Sequence, residues 1–209
     1  MSKAPKKIGI IVSGGTPWEI IFCSLFIEKM GYLKLPLTVY SEDPSEDIAE
    51  VEADLARGKP DYIGDYKATD ITALVMPGGL RLLNQVSDFD DVGDGFTIND
   101  EVRSLIRGLF RIEKPIGAFG ASALLVSRAL QDIVTEGIVV TVGNNPKIQA
   151  GIEGAGAQAV VTRPSEVVLD EENKLATCGG ELGTKRPAEI YSSCENLLAG
   201  VEEFIKRRK

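Results

Sequence analysis

The sequence predicts an α/β protein: a mostly parallel central sheet with helices laid over its faces. Short β-rich runs alternate with longer segments of helical period, which is the pattern of strand–helix–strand units. The first run, Ile8 to Val12, is almost unbroken apolar sequence, as a strand covered on both faces must be. Four runs end in glycine-rich breaks, at Ser13-Gly14-Gly15, Pro77-Gly78-Gly79, Gly117-Ala118-Phe119-Gly120 and Cys178-Gly179-Gly180.

In chain order, the Gly14-Gly15-Thr16-Pro17 turn leads into a helix from Trp18 to Met30. It gathers Trp18, Ile21, Phe22, Leu25 and Phe26 on one face, with Ile20 and Ile27 around the side. A helix apolar on more than one face has two readings: sheet on one side and a second subunit on the other, or crowding within its own domain. Leu35 to Tyr40 reads as the second strand, and Glu46 to Arg57 as an acidic helix ended by Gly58 and Pro60. Tyr62 to Thr69 connects to a third strand, Ala73 to Met76. The Asp- and Gly-rich stretch Gln85 to Thr97 reads as a loop, too polar for core and long enough for a lid or the edge of a site. Asn99 caps a helix to about Arg111, with Val102, Leu105, Ile106 and Leu109 at helical spacing.

Pro115 to Phe119 is a strand running through Gly120 into a helix from Ala121 to Leu130. Beyond it come a strand at Gly137 to Thr141 and a Gly-interrupted helix at Pro146 to Ala157. Short strands follow at Ala159 to Val161, Val167 to Leu169 and Lys174 to Thr177. A closing helix from about Pro187 to Arg207 carries the stripe Ile190, Cys194, Leu197, Leu198, Val201 and Ile205, with basic residues in its last turn. No repeat or linker interrupts the 209 residues, so a single domain over 1–209 is expected.

Composition narrows the chemistry. With 23 basic and 31 acidic residues the net charge is −8, which disfavours nucleic acid and acidic membranes as partners. The chain has no histidine, which removes Ser-His-Asp and Cys-His catalysis and every His-ligated metal site. Cys23, Cys178 and Cys194 form no CxxC pair, so reduced thiols in a cytoplasmic protein are expected. The basic start, Met1 to Lys7, runs straight into the first strand with no visible signal peptide, and no apolar run is long enough to span a bilayer. None of the glycine turns is a P-loop or a dinucleotide fingerprint, so no cofactor is expected. Nor is a metal: Asp88-Phe89-Asp90-Asp91 lacks the spacing of a calcium loop.

Taken together, IGIIVSGG, a glutamate in the first helix, ALVMPGG, FTINDEV, KPIGAFGASA and EVVLDEENKLATCGG resemble the ThiJ/PfpI superfamily of class I glutamine amidotransferase-like domains. Within it they are most similar to the ElbB-type isoprenoid biosynthesis proteins. The resemblance runs from about Ile8 to the last helix. It implies a flavodoxin-like three-layer sandwich, usually a homodimer, with a cysteine at a nucleophile elbow and a first-helix glutamate hydrogen-bonded to it. The departure falls at the decisive atom, because KPIGAFGASA puts Gly120 where the cysteine belongs. Glycine tolerates the strained elbow backbone, so the turn can survive although thiolate chemistry cannot.

Glu19 matches the family glutamate, and it reads either as holder of a water or ligand hydroxyl or as an acid complementing the helix dipole. The backbone N–H groups of Gly79 and Ala121 read either as an oxyanion or carboxylate site, with Gly14 and Gly15 as further ligand-binding positions, or simply as turn and helix start. Ser122 lies roughly 200° around the helix from the elbow and has no histidine to activate it. Cys178, at a strand end bordering the family pocket, reads as a relocated or redox-sensitive thiol or as a buried small residue. Two functions are therefore expected. The first is a non-catalytic or vestigial protein binding a small metabolite or a partner through the pocket of Glu19, Gly79, Gly120 and Ala121. The second is a weak glyoxalase-like or hydro-lyase enzyme on small 2-oxoaldehydes with Glu19 as base. Amidotransferase and peptidase chemistry both need the missing Cys and His.

Overall fold

A computed structural model describes residues 6–40 and 46–208. The basic start at Met1 to Pro5 lies outside them. The elements run β1 (Lys7–Ile11), α1 (Pro17–Lys29), β2 (Leu33–Thr38), α2 (Glu46–Ala56), β3 (Asp61–Tyr62), β4 (Ala73–Met76), α3 (Leu80–Val86), α4 (Phe89–Val92) and α5 (Asp100–Arg111). They continue with β5 (Ile116–Phe119), α6 (Ser122–Leu130), β6 (Val139–Val140), α7 (Pro146–Gly154), β7 (Gln158–Ala159), β8 (Val167–Asp170), β9 (Leu175–Cys178) and α8 (Pro187–Arg207).

Seven strands form one sheet in the order β3-β2-β1-β4-β5-β9-β8, parallel except for the antiparallel edge strand β8. This is the flavodoxin-like, mostly parallel architecture expected from the sequence. Strand alternation divides the core. Ile11, Leu74, Met76 and Ala118 point to one face, covered by α3, α5, α6 and α7. Ile8, Ile10, Val75 and Cys178 point to the other, covered by α1 and α8. Pro36 is tolerated inside β2 because Leu37 faces β1, where its carbonyl accepts from Val12 N. Pro36 therefore turns its missing N–H toward β3, which reaches only Leu37 and Thr38.

The structure departs from the sequence expectations at three places. The strand near Gly137–Thr141 is only Val139–Val140, and it pairs with Gln158–Ala159 in a separate two-stranded sheet. The stretch Gln85–Thr97 is not a free loop. It holds the end of α3 and all of α4, closed by a bridge between Ser87 and Ile98. Phe89 and Phe96 are buried edge to face at 5.1 Å, anchoring a segment whose aspartates made it read as solvent. On α1 the sheet side is Ile20, Cys23 and Ile27, while Phe22 and Phe26 pack against Tyr191 of α8. Trp18, Ile21 and Leu25 remain 45%, 41% and 43% exposed.

Candidate functional site

The order of strands reverses between β1 and β4: the chain first builds outward through β2 and β3, then returns to add β4 and β5 on the other side. In such sheets the loops beyond the carboxyl ends splay apart at the reversal and leave a crevice. Here that crevice is a cavity of about 350 Å³ edged by Gly14 and Gly15 after β1, Gly79 after β4, α2, and the start of α3.

One strand over, β5 ends at Gly120, whose φ of +47° is the left-handed conformation of a nucleophile elbow. Gly120 N donates to the Cys178 carbonyl at 2.9 Å, and Ala123 N donates back to the Gly120 carbonyl, which fixes the turn. The space above it is filled by the chain itself. A Cβ at Gly120 would lie 2.9 Å from Leu182 Cβ and 3.2 Å from the Gly179 carbonyl oxygen. Leu182 sits in a short 3₁₀ turn, Gly180–Leu182, which crosses the elbow directly after β9.

Glu19 holds that turn in place. In the first turn of α1 it is 1% exposed, and both carboxyl oxygens accept backbone N–H groups, Oε2 from Gly78 at 2.6 Å and Oε1 from Glu181 at 2.7 Å. One side chain thus clamps the loop after β4 to the turn after β9. Gly180 is required for this approach, because a Cβ there would overlap Glu19 Oε1. Burial pushes the Glu19 acid up to about 7, outweighing the two backbone donors, which pull it down by favouring the ionised form.

The remaining sequence candidates fall around this clamp. Ala121 is buried as the N-cap of α6, and the neighbouring Ser122 hydroxyl donates to the Pro77 carbonyl at 2.9 Å. Cys178 is fully buried with Sγ 3.9 Å from the Ser193 carbonyl oxygen, and burial pushes its thiol well up, so it is held as a neutral thiol. Cys23 and Cys194 are also free and buried. Asp88 accepts from the Thr97 backbone and hydroxyl, and Asp90 pairs with Lys147 at 2.7 Å. The structure therefore separates the candidates into two groups. Gly14, Gly15 and Gly79 edge the open crevice, whereas Glu19, Gly120, Ala121 and Cys178 lie buried behind it.

Two crevice residues, Glu52 and Arg81, were not anticipated. Glu52, on α2, is only 6% exposed. Burial raises its pKa, while Thr38 and the Arg81 guanidinium lower it. The signal was present: Ile48, Glu52 and Leu55 lie at i, i+4 and i+7, so the acid stands at a core position of an amphipathic helix.

No known family model matches the chain. A human protein named glutamine amidotransferase-like class 1 domain-containing protein 3, mitochondrial, is 27% identical over 146 residues, 66% of this chain and 53% of that protein. The rat mitochondrial ES1 protein homolog is 26% identical over the same shares. The chain thus spans about half the length of the curated relatives it matches. Among solved structures, an isoprenoid biosynthesis protein with an amidotransferase-like domain from Ehrlichia chaffeensis superposes with a TM-score of 0.81 at 19% identity, covering 95% of this chain and 99% of that one. Fission yeast DJ-1 gives 0.61 at 15% identity, covering 96% and 97%. The chain has the fold of the DJ-1/ThiJ/PfpI class. In sequence it is related to the glutamine amidotransferase-like class 1 and ES1 proteins, in agreement with its motifs.

Proposed function

We propose that this chain is a small-metabolite-binding protein of the amidotransferase-like fold that performs no thiol chemistry. The observation carrying this reading is the elbow: Gly120 stands where the nucleophile belongs, and any side chain there would press on Leu182. Binding is assigned instead to the crevice at the β1/β4 reversal, where Gly14, Gly15 and Gly79 form the edge. Titrating the full chain with a small-metabolite library while following the methyl resonances of Val51, Leu55 and Leu80 tests this. Saturable shifts confined to these methyls are expected, and silence across the library would contradict it.

The alternative reading, a glyoxalase-like or hydro-lyase enzyme acting on small 2-oxoaldehydes, draws support from Glu19, whose acid lies close enough to neutrality to act as a base. Its oxygens, however, are both held by backbone donors. Turnover of methylglyoxal to a 2-hydroxy acid by the unaltered chain, lost in Glu19→Gln, would establish it.

We further propose that residues 1–209 act as one domain and assemble as a homodimer through α1, supported by the exposed apolar side chains of Trp18, Ile21 and Leu25 on one helix. Sedimentation of the chain beside Ile21→Lys tests this, with a dimer expected only for the former. Among the described residues no helix is long and apolar enough to cross a membrane. Three free thiols fit a reducing compartment such as the cytoplasm. The relatives' names point instead to mitochondria, and cell fractionation discriminates the two.

A further inference from the structure

Resting on the reading of the crevice as a binding region, its chemistry narrows what it can hold. Its floor is apolar, formed in part by Ile48, Val51 and Leu80, and the two outer residues are strongly exposed although they are aliphatic. Two opposite charges stand over that floor. Glu52 is the buried one, and its carboxylate lines the cavity with lone-pair sites for a partner. A carboxylate in a largely buried position is stabilised by a cationic donor that reaches it. Arg81 is the exposed one, at the start of α3 on the opposite wall. It acts on Glu52 through space, with no direct ion pair between the two among the described residues.

We propose that the crevice takes a small zwitterion of the apolar α-amino-acid type: ammonium on Glu52, carboxylate on Arg81, aliphatic side chain over Ile48, Val51 and Leu80. The arrangement selects by sign. A polyanion meets Glu52, in a chain already at −8, and a simple cation meets Arg81. The guanidinium matches a carboxylate in its planar two-pronged geometry. The volume of about 350 Å³ lies at the small end of ligand sites and has room for a molecule the size of leucine or valine.

The test titrates the full chain with L-leucine, with 3-methylbutylamine, which lacks the carboxylate, and with 4-methylpentanoate, which lacks the ammonium, following the Val51, Leu55 and Leu80 methyls. Leucine is expected to saturate, with each half-ligand at least about tenfold weaker, the scale of one charged hydrogen-bonded contact. Arg81→Met should weaken leucine by about tenfold and bring it level with the amine. Glu52→Gln should bring it level with the acid. Arg81 is exposed, so its variant keeps the test decisive if Glu52→Gln loses the fold. Half-ligands binding as tightly as leucine, or unchanged affinity in Arg81→Met, overturn the zwitterion and leave the crevice reading standing. Silence from all three ligands also overturns it, and the crevice itself falls only if the wider metabolite library is silent too.

Discussion

The turn after β5 and the crevice between the turns after β1 and β4 lie at the same end of one sheet, and both are edged by glycine. At the first, the chain fills its own space: Leu182 covers Gly120, and Glu19 spends both oxygens on Gly78 N and Glu181 N. At the second, nothing among the described residues fills the gap, and a buried acid and an exposed guanidinium face it. The difference shows that a glycine turn marks where the backbone comes close, while segments far away in sequence decide whether a pocket opens there. Leu182 reaches Gly120 across sixty-two positions, through a 3₁₀ turn with no sequence signature of its own.

The sharpest way to break this comparison is to put the family's cysteine back. Gly120→Cys forces a Cβ against Leu182 at φ +47°, and overpacking plus left-handed strain should cost about 2–4 kcal/mol in denaturant unfolding. Adding Leu182→Gly, which removes the Cβ that stands 2.9 Å away, should relieve that part of the overpacking, so the two changes couple favourably in a double-mutant cycle. Strict additivity would mean that Leu182 does not cover the elbow.

Next in size is the clamp. Glu19 has a folded pKa of about 7 against 4.5 unfolded, so the folded state binds the proton more tightly. Its contribution is complete below about pH 4.5 and is lost as pH rises to about 7, a fall of up to about 3 kcal/mol. Glu19→Gln, with an amide nitrogen facing one of the backbone donors, should cost about 1–3 kcal/mol at low pH and flatten that slope in pH-resolved unfolding. A native chain whose stability rises between pH 4.5 and 7 would place the Glu19 acid below its ordinary value.

Smaller still is the effect on the thiols. Cys23, Cys178 and Cys194 should resist a disulfide reagent in the folded chain and all react once unfolded, since burial pushes the Cys23 and Cys178 thiols well up and leaves Cys194 no access. Least of all, Arg81→Met should change stability by under about 0.5 kcal/mol while altering ligand affinity, because the side chain is exposed.

Much of this was legible beforehand, for identifiable reasons. The runs Ile8–Val12, Ala73–Met76 and Pro115–Phe119 are bounded by turns, so β1, β4 and β5 stand within a residue of where the pattern puts them. Asn99 marks α5 because its side chain accepts from Glu101 N and Val102 N. The segment through α3 and α4 misled because its aspartates outnumber the two phenylalanines that anchor it. At the candidate site, Glu19 and Gly120 were readable through motif order. Glu52 was hidden among the five acids of α2, four of which say nothing about a site.

The most direct test of the closed elbow compares how fast a disulfide reagent labels the folded Gly120→Cys chain and the folded Gly120→Cys/Leu182→Gly chain, in which the covering Cβ is gone. The structure predicts that the single variant labels no faster than the three buried native cysteines, while the double variant gains one fast-reacting thiol. Equally fast labelling in both would show that the elbow pocket stands open, and would return the candidate site to Gly120 and Glu19.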